Sequence, residues 1–235
     1  MGVHPRLLLR RDRGRDHHHY RYGDRARLNL STSAQDGSLI LRQKPRGTLV
    51  LVVGPSGSGK DSILSGAEAA LGKNDLFFFP RRDITRPAAL GHEPYHSLSL
   101  EAFEDRRARG AYSLSWPAHG LWYGIPSAIE SHLEDGRHVV VNVSRGVIPE
   151  VRQRLQPARI VSIQVPRETL RARLKGRERE SESDIEARLE RAATFHIDGP
   201  DVVRLQNDSS LEAAINTFVA LLTNLNPVEE NALAR

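Results

Sequence analysis

The stretch Gly54-Pro55-Ser56-Gly57-Ser58-Gly59-Lys60 constrains this chain more than any other. It follows an apolar run, residues 48–53, that reads as a buried strand, and it precedes residues 61–71, which can be written as a helix. Strand, glycine loop, lysine and helix in that order are the context in which such a pattern holds phosphate. Glycines let consecutive backbone N–H groups point inward around phosphate oxygens, and the helix N-terminus adds its partial positive charge. Gly54, Pro55, Ser56, Gly57, Ser58, Gly59 and Lys60 therefore read as a cradle for a nucleoside triphosphate, with Lys60 a point charge on the β- and γ-phosphates.

One position departs from the usual pattern. Loops of this kind carry Ser or Thr directly after the lysine, where the hydroxyl ligates magnesium. Here the place belongs to Asp61, with Ser62 one step later. Two readings stand: an acid in the first turn of a helix, favoured by the dipole, or a magnesium ligand, direct or through water, since oxygen donors suit that ion. Asp61 and Ser62 are the expected metal site.

The net charge of +5 is unevenly placed. Residues 1–46 hold eleven Arg or Lys against four Asp, a balance of +7, and the remainder holds 23 basic against 25 acidic groups, or −2. The folded part thus lacks the basic excess that a nucleic-acid surface needs. Residues 1–46, with few apolar residues and the run His17-His18-His19, read as a mostly disordered basic extension, or as the product of a start assigned too far upstream. A nucleic-acid role confined to that segment would disappear with it and spare any catalysis. No apolar run approaches the ~20 residues that span a bilayer. The absence of cysteine excludes disulfides and thiolate metal sites and fits a reducing compartment, so the chain is read as cytoplasmic.

Beyond the loop, apolar runs at 139–143 and 160–165 read as buried strands, with shorter ones at 76–80, 112–116 and 202–205. Helical patterns occupy 100–109, 127–134 and 167–175. Ser183 with Glu186 reads as a capping box for the next helix, and Ser209 with Glu212 opens a last amphipathic helix burying Leu211, Ile215, Phe218, Leu222 and Leu225. Alternating strands and helices predict an α/β fold, a parallel sheet covered on both sides. The expected organisation is an extension at 1–46, one kinase-like domain at 47–226 and a frayed tail at 227–235.

In order along the chain, the phosphate loop, Thr85-Arg86-Pro87, Trp122-Tyr123-Gly124, Gly176-Arg177-Glu178-Arg179 and Asn207-Asp208 resemble the guanylate kinase family over nearly all of residues 48–225. Three features of that family are missing. The second arginine expected after Arg86 is Ala89, the acid that reads the guanine edge falls at Leu114, and the expected Asp-x-Asp is Asn142-Val143-Ser144. A site built to accept hydrogen bonds from a base loses them when the acid becomes leucine. The closer likeness is to the ribose 1,5-bisphosphate phosphokinase family, through Gly59-Lys60-Asp61-Ser62, Ile84-Thr85-Arg86, Ser113-Leu114-Ser115-Trp116 and Val141-Asn142-Val143-Ser144-Arg145. That resemblance implies a guanylate-kinase-like P-loop fold with a small acceptor-binding region and a mobile lid. It implies conversion of ribose 1,5-bisphosphate and ATP, with Mg²⁺, to 5-phosphoribosyl 1-diphosphate and ADP in phosphonate breakdown. A nucleoside monophosphate kinase of altered base choice is the rival enzyme reading. A non-catalytic interaction module is the rival of another class, although such a module would be expected to lose the phosphate loop.

The chemistry suits what is absent. A phosphate acceptor is already largely ionised at neutral pH, its second pKa lying at about 6, so no catalytic base is required. Positive charge is required instead, to bring two polyanions together and to stabilise the transferred group. Arg86 is the first candidate to grip an acceptor phosphate, with Arg82 and Arg145 behind it, while Tyr123 and Glu93 are placed by the resemblance to orient phosphate and sugar hydroxyls. Residues 171–191 read as the lid, from which Arg177 and Arg188 swing onto ATP. The alternative is a solvated helix laced with acid–arginine pairs such as Asp184 with Arg188; it is preferred for most arginines of the segment, and the ATP role for Arg177 and Arg188. Trp116 and Trp122 read as packing, and His96 and His119 as bearing no ligand role.

Overall fold

The computed structural model describes residues 30–32, 39–41, 44–87, 95–176 and 181–225. Glu93, Arg177, the histidine run and the tail lie outside the described residues, as does most of the basic extension. The chain divides into two units, Met1–Gln43 and Lys44–Arg235. In the first, β1 (Leu30–Thr32) and β2 (Leu39–Leu41) pair antiparallel with Leu30 opposite Leu41, where the sequence reading placed no element. Leu, Ile and Thr triplets on either side of a short polar segment suit such a pairing.

The second unit is built on β3 (Leu49–Val53), buried along its whole length as an unbroken apolar run in a central parallel strand must be. With β4 (Phe77–Phe78), β9 (His138–Asn142), β10 (Ala158–Gln164) and β11 (Val202–Gln206) it forms a parallel sheet in the order β11-β10-β3-β9-β4. Side chains alternate across a strand, so Leu49, Leu51 and Val53 enter one core cluster, and Val50 and Val52 enter another on the opposite face. Against the latter pack α1 (Lys60–Leu71) and α7 (Leu211–Thr223), through Ile63, Ala67 and Leu71 on one helix and Ala214, Phe218 and Leu222 on the other. A Cβ on Gly66 would lie 2.3 Å from Ile215 Cδ1, so this glycine sets how closely α7 approaches α1.

A second sheet of β5 (Arg82–Ile84), β6 (Tyr95–Ser97), β7 (Tyr112–Ala118) and β8 (Leu121–Pro126) runs in the order β6-β5-β8-β7. Its Ile84, Leu114, Trp116, Tyr123 and Ile125 join the same cluster as Leu49, Leu51 and Val53, which makes one continuous core between the sheets. Trp116 stacks on Tyr123 with ring centroids 5.5 Å apart, and Trp122 lies beneath Arg107, in line with the packing reading of both. Helices α2 (Leu100–Ala108), α3 (Ile129–Glu134), α4 (Ile148–Arg154), α5 (Arg167–Lys175) and α6 (Glu182–Ala193) complete the unit.

Several local expectations change. Residues 121–126 are strand throughout, and β5 and β6 arise in a polar stretch whose periodicity is hidden by its charges. The turn Arg145–Val147 and α4 have no counterpart in the sequence reading. The capping box of α6 is Ser181 with Asp184, not Ser183 with Glu186, because Ser181 adopts the extended cap conformation and exchanges hydrogen bonds with Asp184. Glu186 is drawn instead to Arg167 and Arg171. The last helix is capped by Ser210, whose Oγ accepts from Ala213 N–H at 3.1 Å, and Leu211 stays 45% exposed while Ala214 takes the buried position.

Candidate active site

The phosphate loop leaves β3 at the carboxyl edge of the parallel sheet, where ligands of open α/β sheets bind. Gly59 has φ 86°, and a Cβ there would lie 2.6 Å from Asn207 Nδ2. That same nitrogen donates to Ser58 O at 2.7 Å, so the segment after β11 braces the loop from behind. Lys60 Nζ donates to Gly54 O at 2.8 Å and Pro55 O at 2.9 Å, folding the lysine back over the loop. Ser58 Oγ, Asn207 Oδ1 and Arg173 Nη1 are buried without a hydrogen-bond partner among the described residues. Buried polar atoms are normally satisfied, and two of these, the Ser58 hydroxyl and Arg173 Nη1, are donors that suit a polyanionic ligand with many acceptor oxygens.

Two lid helices supply cations. α5 and α6 pack through Leu170, Leu174, Ile185 and Leu189. On their outer face Arg167 lies 2.7 Å from Glu186, Arg171 3.0 Å from Glu182 and Lys175 3.2 Å from Glu182, the solvated pairs expected of such a surface. Two arginines escape that face. Arg188 Nη1 donates to Ser56 Oγ at 3.2 Å, which brings α6 onto the phosphate loop, while Asp184 accepts from Ser181 at the helix cap, a hydrogen bond that lowers its pKa with a smaller contribution from the Arg188 charge. Arg173 Nη1 lies 3.9 Å from a Cβ built on Gly59. The sequence puts Arg173 on one helical face with Arg177 but leaves it among the solvated arginines rather than in the site. Its spacing of three from Leu170 places it one turn along from a buried position, which is the signal that favours it.

On the other side of the loop stand Asp61, Arg82, Tyr123 and Asn142. Asn142 Nδ2 donates to Asp61 Oδ1 at 2.5 Å, and Arg82 Nη1 donates to Asn142 O at 3.3 Å. Arg82 Nη2 is 4.0 Å from Asp61 Oδ1, with the Arg82 side chain only 14% exposed and that of Asp61 58% exposed. The guanidinium sits 5.7 Å over the Tyr123 ring. Burial lowers the Arg82 pKa, and Asp61 and Tyr123 work against that shift by favouring the charged form. Ser62 is exposed on α1 beside this group.

Arg86 and Arg145 are turned elsewhere. The Arg86 guanidinium lies 5.6 Å over Tyr95, and its carbonyl accepts from the Ser97 hydroxyl. Arg145 Nη1 donates to Thr194 O at 3.1 Å and covers Phe195 at 5.0 Å, so it ties the turn after β9 to the end of α6. Behind β5, Asp83 is 1% exposed and accepts from Arg106 at 2.7 Å, Tyr112 OH at 2.8 Å and His96 at 3.1 Å. Burial and then Asp83 push the Tyr112 pKa upward, and the hydrogen bond to Asp83 raises that of Arg106. The cluster fixes the strand that carries Arg82. Nothing in the charged run 81–86 distinguishes the buried acid from its neighbours.

Among the described residues no group of three or more His, Asp or Glu side chains gathers to hold a metal, and no helix is long and apolar enough to cross a membrane. Magnesium is characteristically held by one or two carboxylates together with substrate phosphates. A single exposed carboxylate directly after the loop lysine fits that donor set.

Residues 49–196 match the family model described as AAA domain. The chain is 45% identical over 178 residues to a ribose 1,5-bisphosphate phosphokinase of Acidiphilium cryptum, covering 75% of this chain and 92% of that protein. It is 42% identical over 176 residues to a bifunctional ribose 1,5-bisphosphokinase-thymidine phosphorylase of Azorhizobium caulinodans, covering 75% of this chain but only 25% of that longer protein. Among solved structures, guanylate kinase from Anaplasma phagocytophilum superposes with a TM-score of 0.54 at 18% identity, over 77% of this chain and 86% of that one, a likeness of fold. Phosphate loop, lid arginines and the Asp61–Asn142 strand end thus stand on a guanylate-kinase-like scaffold, and the chain belongs to the ribose 1,5-bisphosphate phosphokinase family.

Proposed function

We propose that the protein transfers the γ-phosphoryl group of ATP to the 1-phosphate of ribose 1,5-bisphosphate, giving 5-phosphoribosyl 1-diphosphate and ADP. The observation that carries the reading is Arg82: a guanidinium held over Tyr123 beside the phosphate loop is a site for an anionic acceptor. Leu114, 1% exposed in the core, occupies the place where a guanine-reading acid would stand, which speaks against a nucleotide acceptor.

In the reaction an ionised oxygen of the acceptor phosphate attacks the γ-phosphorus while the bond to the β,γ-bridging oxygen breaks, and ADP leaves with that electron pair. No proton has to be removed from the nucleophile. The loop amides and Lys60 hold the β- and γ-phosphates, Arg188 and Arg173 close from the lid, and Arg82 and Tyr123 orient the acceptor, while Arg86, held over Tyr95, would have to swing inward to join them. Arg177 and Glu93 keep their assigned roles by resemblance. Asp61 would hold magnesium, with Ser62 beside it; when bound, magnesium would supply positive charge against the negative charge that develops on the transferred group. Lid closure would exclude water, which would otherwise compete as acceptor. The activity belongs to the cytoplasm in this reading.

A panel of ribose 1,5-bisphosphate, ribose 5-phosphate, GMP and AMP, assayed with magnesium-ATP for ADP release, tests the acceptor. Turnover with ribose 1,5-bisphosphate alone is expected, and efficient turnover with GMP would overturn the reading. Lys60→Ala should lower kcat by about 10²–10³, whereas Arg82→Ala should chiefly raise KM for the acceptor.

A further inference from the structure

The ordinary phosphate-loop enzyme places a hydroxyl after the lysine and a carboxylate at the end of a neighbouring strand, and the two share the magnesium site. Here the carboxylate has moved from the strand end to the residue after the lysine, and an amide stands in its former place. Asn142 ends β9, in register with Val52 of the strand that feeds the loop, so it occupies the position of the strand-end acid. Asp61 occupies the position of the hydroxyl. Their side chains meet at 2.5 Å, with the amide donating to Oδ1.

We propose that Asp61 and Asn142 form a charge-exchanged metal pair, in which Asp61 carries the one carboxylate and Asn142 is the positioning residue that fixes its orientation. The amide at 142 suits this role because it offers an N–H where a second carboxylate would meet the first at contact distance with like charge. The hydrogen bond and the approach of Arg82 both engage Oδ1, and among the described residues Oδ2 accepts no hydrogen bond. Arg82 braces the arrangement from the acceptor side, donating to Asn142 O and approaching the same Asp61 oxygen. The backbone of the strand end, the metal carboxylate and an acceptor-side cation are thereby joined in one hydrogen-bonded group. Loss of positive charge by Arg82 is no part of this device; the guanidinium serves as a fixed brace.

The inference rests on the nucleotide and magnesium reading above, and the test separates the two. Manganese serves as the probe, its free concentration read by electron paramagnetic resonance during titration of protein saturated with a non-hydrolysable ATP analogue. Calorimetry of the same analogue in EDTA measures nucleotide binding, and correct folding, without metal. Asp61→Ser should weaken manganese binding at least about ten-fold, and Asn142→Ala about ten-fold, with metal-free nucleotide affinity retained in both. The decisive variant is Asp61→Ser combined with Asn142→Asp, which restores the ordinary hydroxyl and acid and should recover more than half of the Asp61→Ser loss on a logarithmic scale. A merely structural hydrogen bond predicts no such recovery. Should Asp61→Ser fail to fold, Asp61→Asn alone and with Asn142→Asp repeats the exchange with nearly unchanged shape. Manganese binding unaffected by Asn142→Ala, or a double variant no tighter than the single one, overturns the proposal. Failure of the unaltered protein to bind the analogue in EDTA would instead overturn the nucleotide reading, and this proposal with it.

Discussion

Gly59 shows how little tolerance the loop has at a single position. A side chain there meets Asn207 Nδ2 at 2.6 Å and must also hold φ near 86°. Gly59→Ala should therefore cost about 1–3 kcal/mol of stability and weaken ATP binding together, measured by urea denaturation and calorimetry. Equal stability and affinity would mean that Asn207 gives way freely. The glycines and Lys60 are legible in the sequence because their chemistry is local. Rank among the arginines is not. Arg86 looks foremost because it sits in a short recognisable triplet, yet Arg82 is the one buried against Tyr123 and Asn142, residues far off in sequence. Arg173 is ranked below Arg177 and Arg188 for the same reason, since its approach to Gly59 depends on how α5 packs.

At the scale of elements, β9 carries a distinct task at each end. Asn142 closes its carboxyl end at the active site, and His138 opens it, with Nδ1 accepting from Thr48 N–H at 3.0 Å. That hydrogen bond needs the neutral ring, and burial lowers the His138 pKa. His132, lowered by burial and by Arg137, adds in the same direction. A histidine whose folded pKa is depressed lets the unfolded chain bind more protons below its ordinary value of about 6.5, so stability falls with pH in that window. Thermal midpoints should drop between pH 7 and pH 5, and His138→Gln, which keeps an acceptor but cannot titrate, should flatten the drop. An unchanged slope in the variant would remove His138 from the account. Strands such as β3, β9 and β10 are legible because burial on both faces leaves continuous apolar runs. β5 and β6 are not, since their charged side chains obscure the alternation. Ser181 and Ser183 each precede an acid at the right spacing, so the choice of Ser181 depends on backbone angles that composition does not carry.

Over the kinase-like unit, the parallel sheet and the smaller sheet share one core cluster, which predicts one cooperative transition rather than two. Both tryptophans lie on β7 and β8, so their fluorescence reports on the smaller sheet while far-ultraviolet circular dichroism reports on the helices. Midpoints in urea should coincide by the two probes, and a separate early fluorescence transition would show that the acceptor-binding sheet unfolds alone. The fold class is readable from alternating strands and helices. The pairing of Asp61 with Asn142 is not, because it depends on β9 lying beside β3, and strand order is a property of the assembled sheet.

Lys60, resting on the carbonyl oxygens of Gly54 and Pro55, is housed by the folded loop itself. Binding is thus a trade of partners by a group whose freedom was given up when the chain folded. The heat released should fall short of what a solvated ammonium meeting two phosphates would suggest, while affinity benefits from the ordering already done. Weakly coordinating anions such as chloride gain little from that trade, so the loop should discriminate against them without any further device.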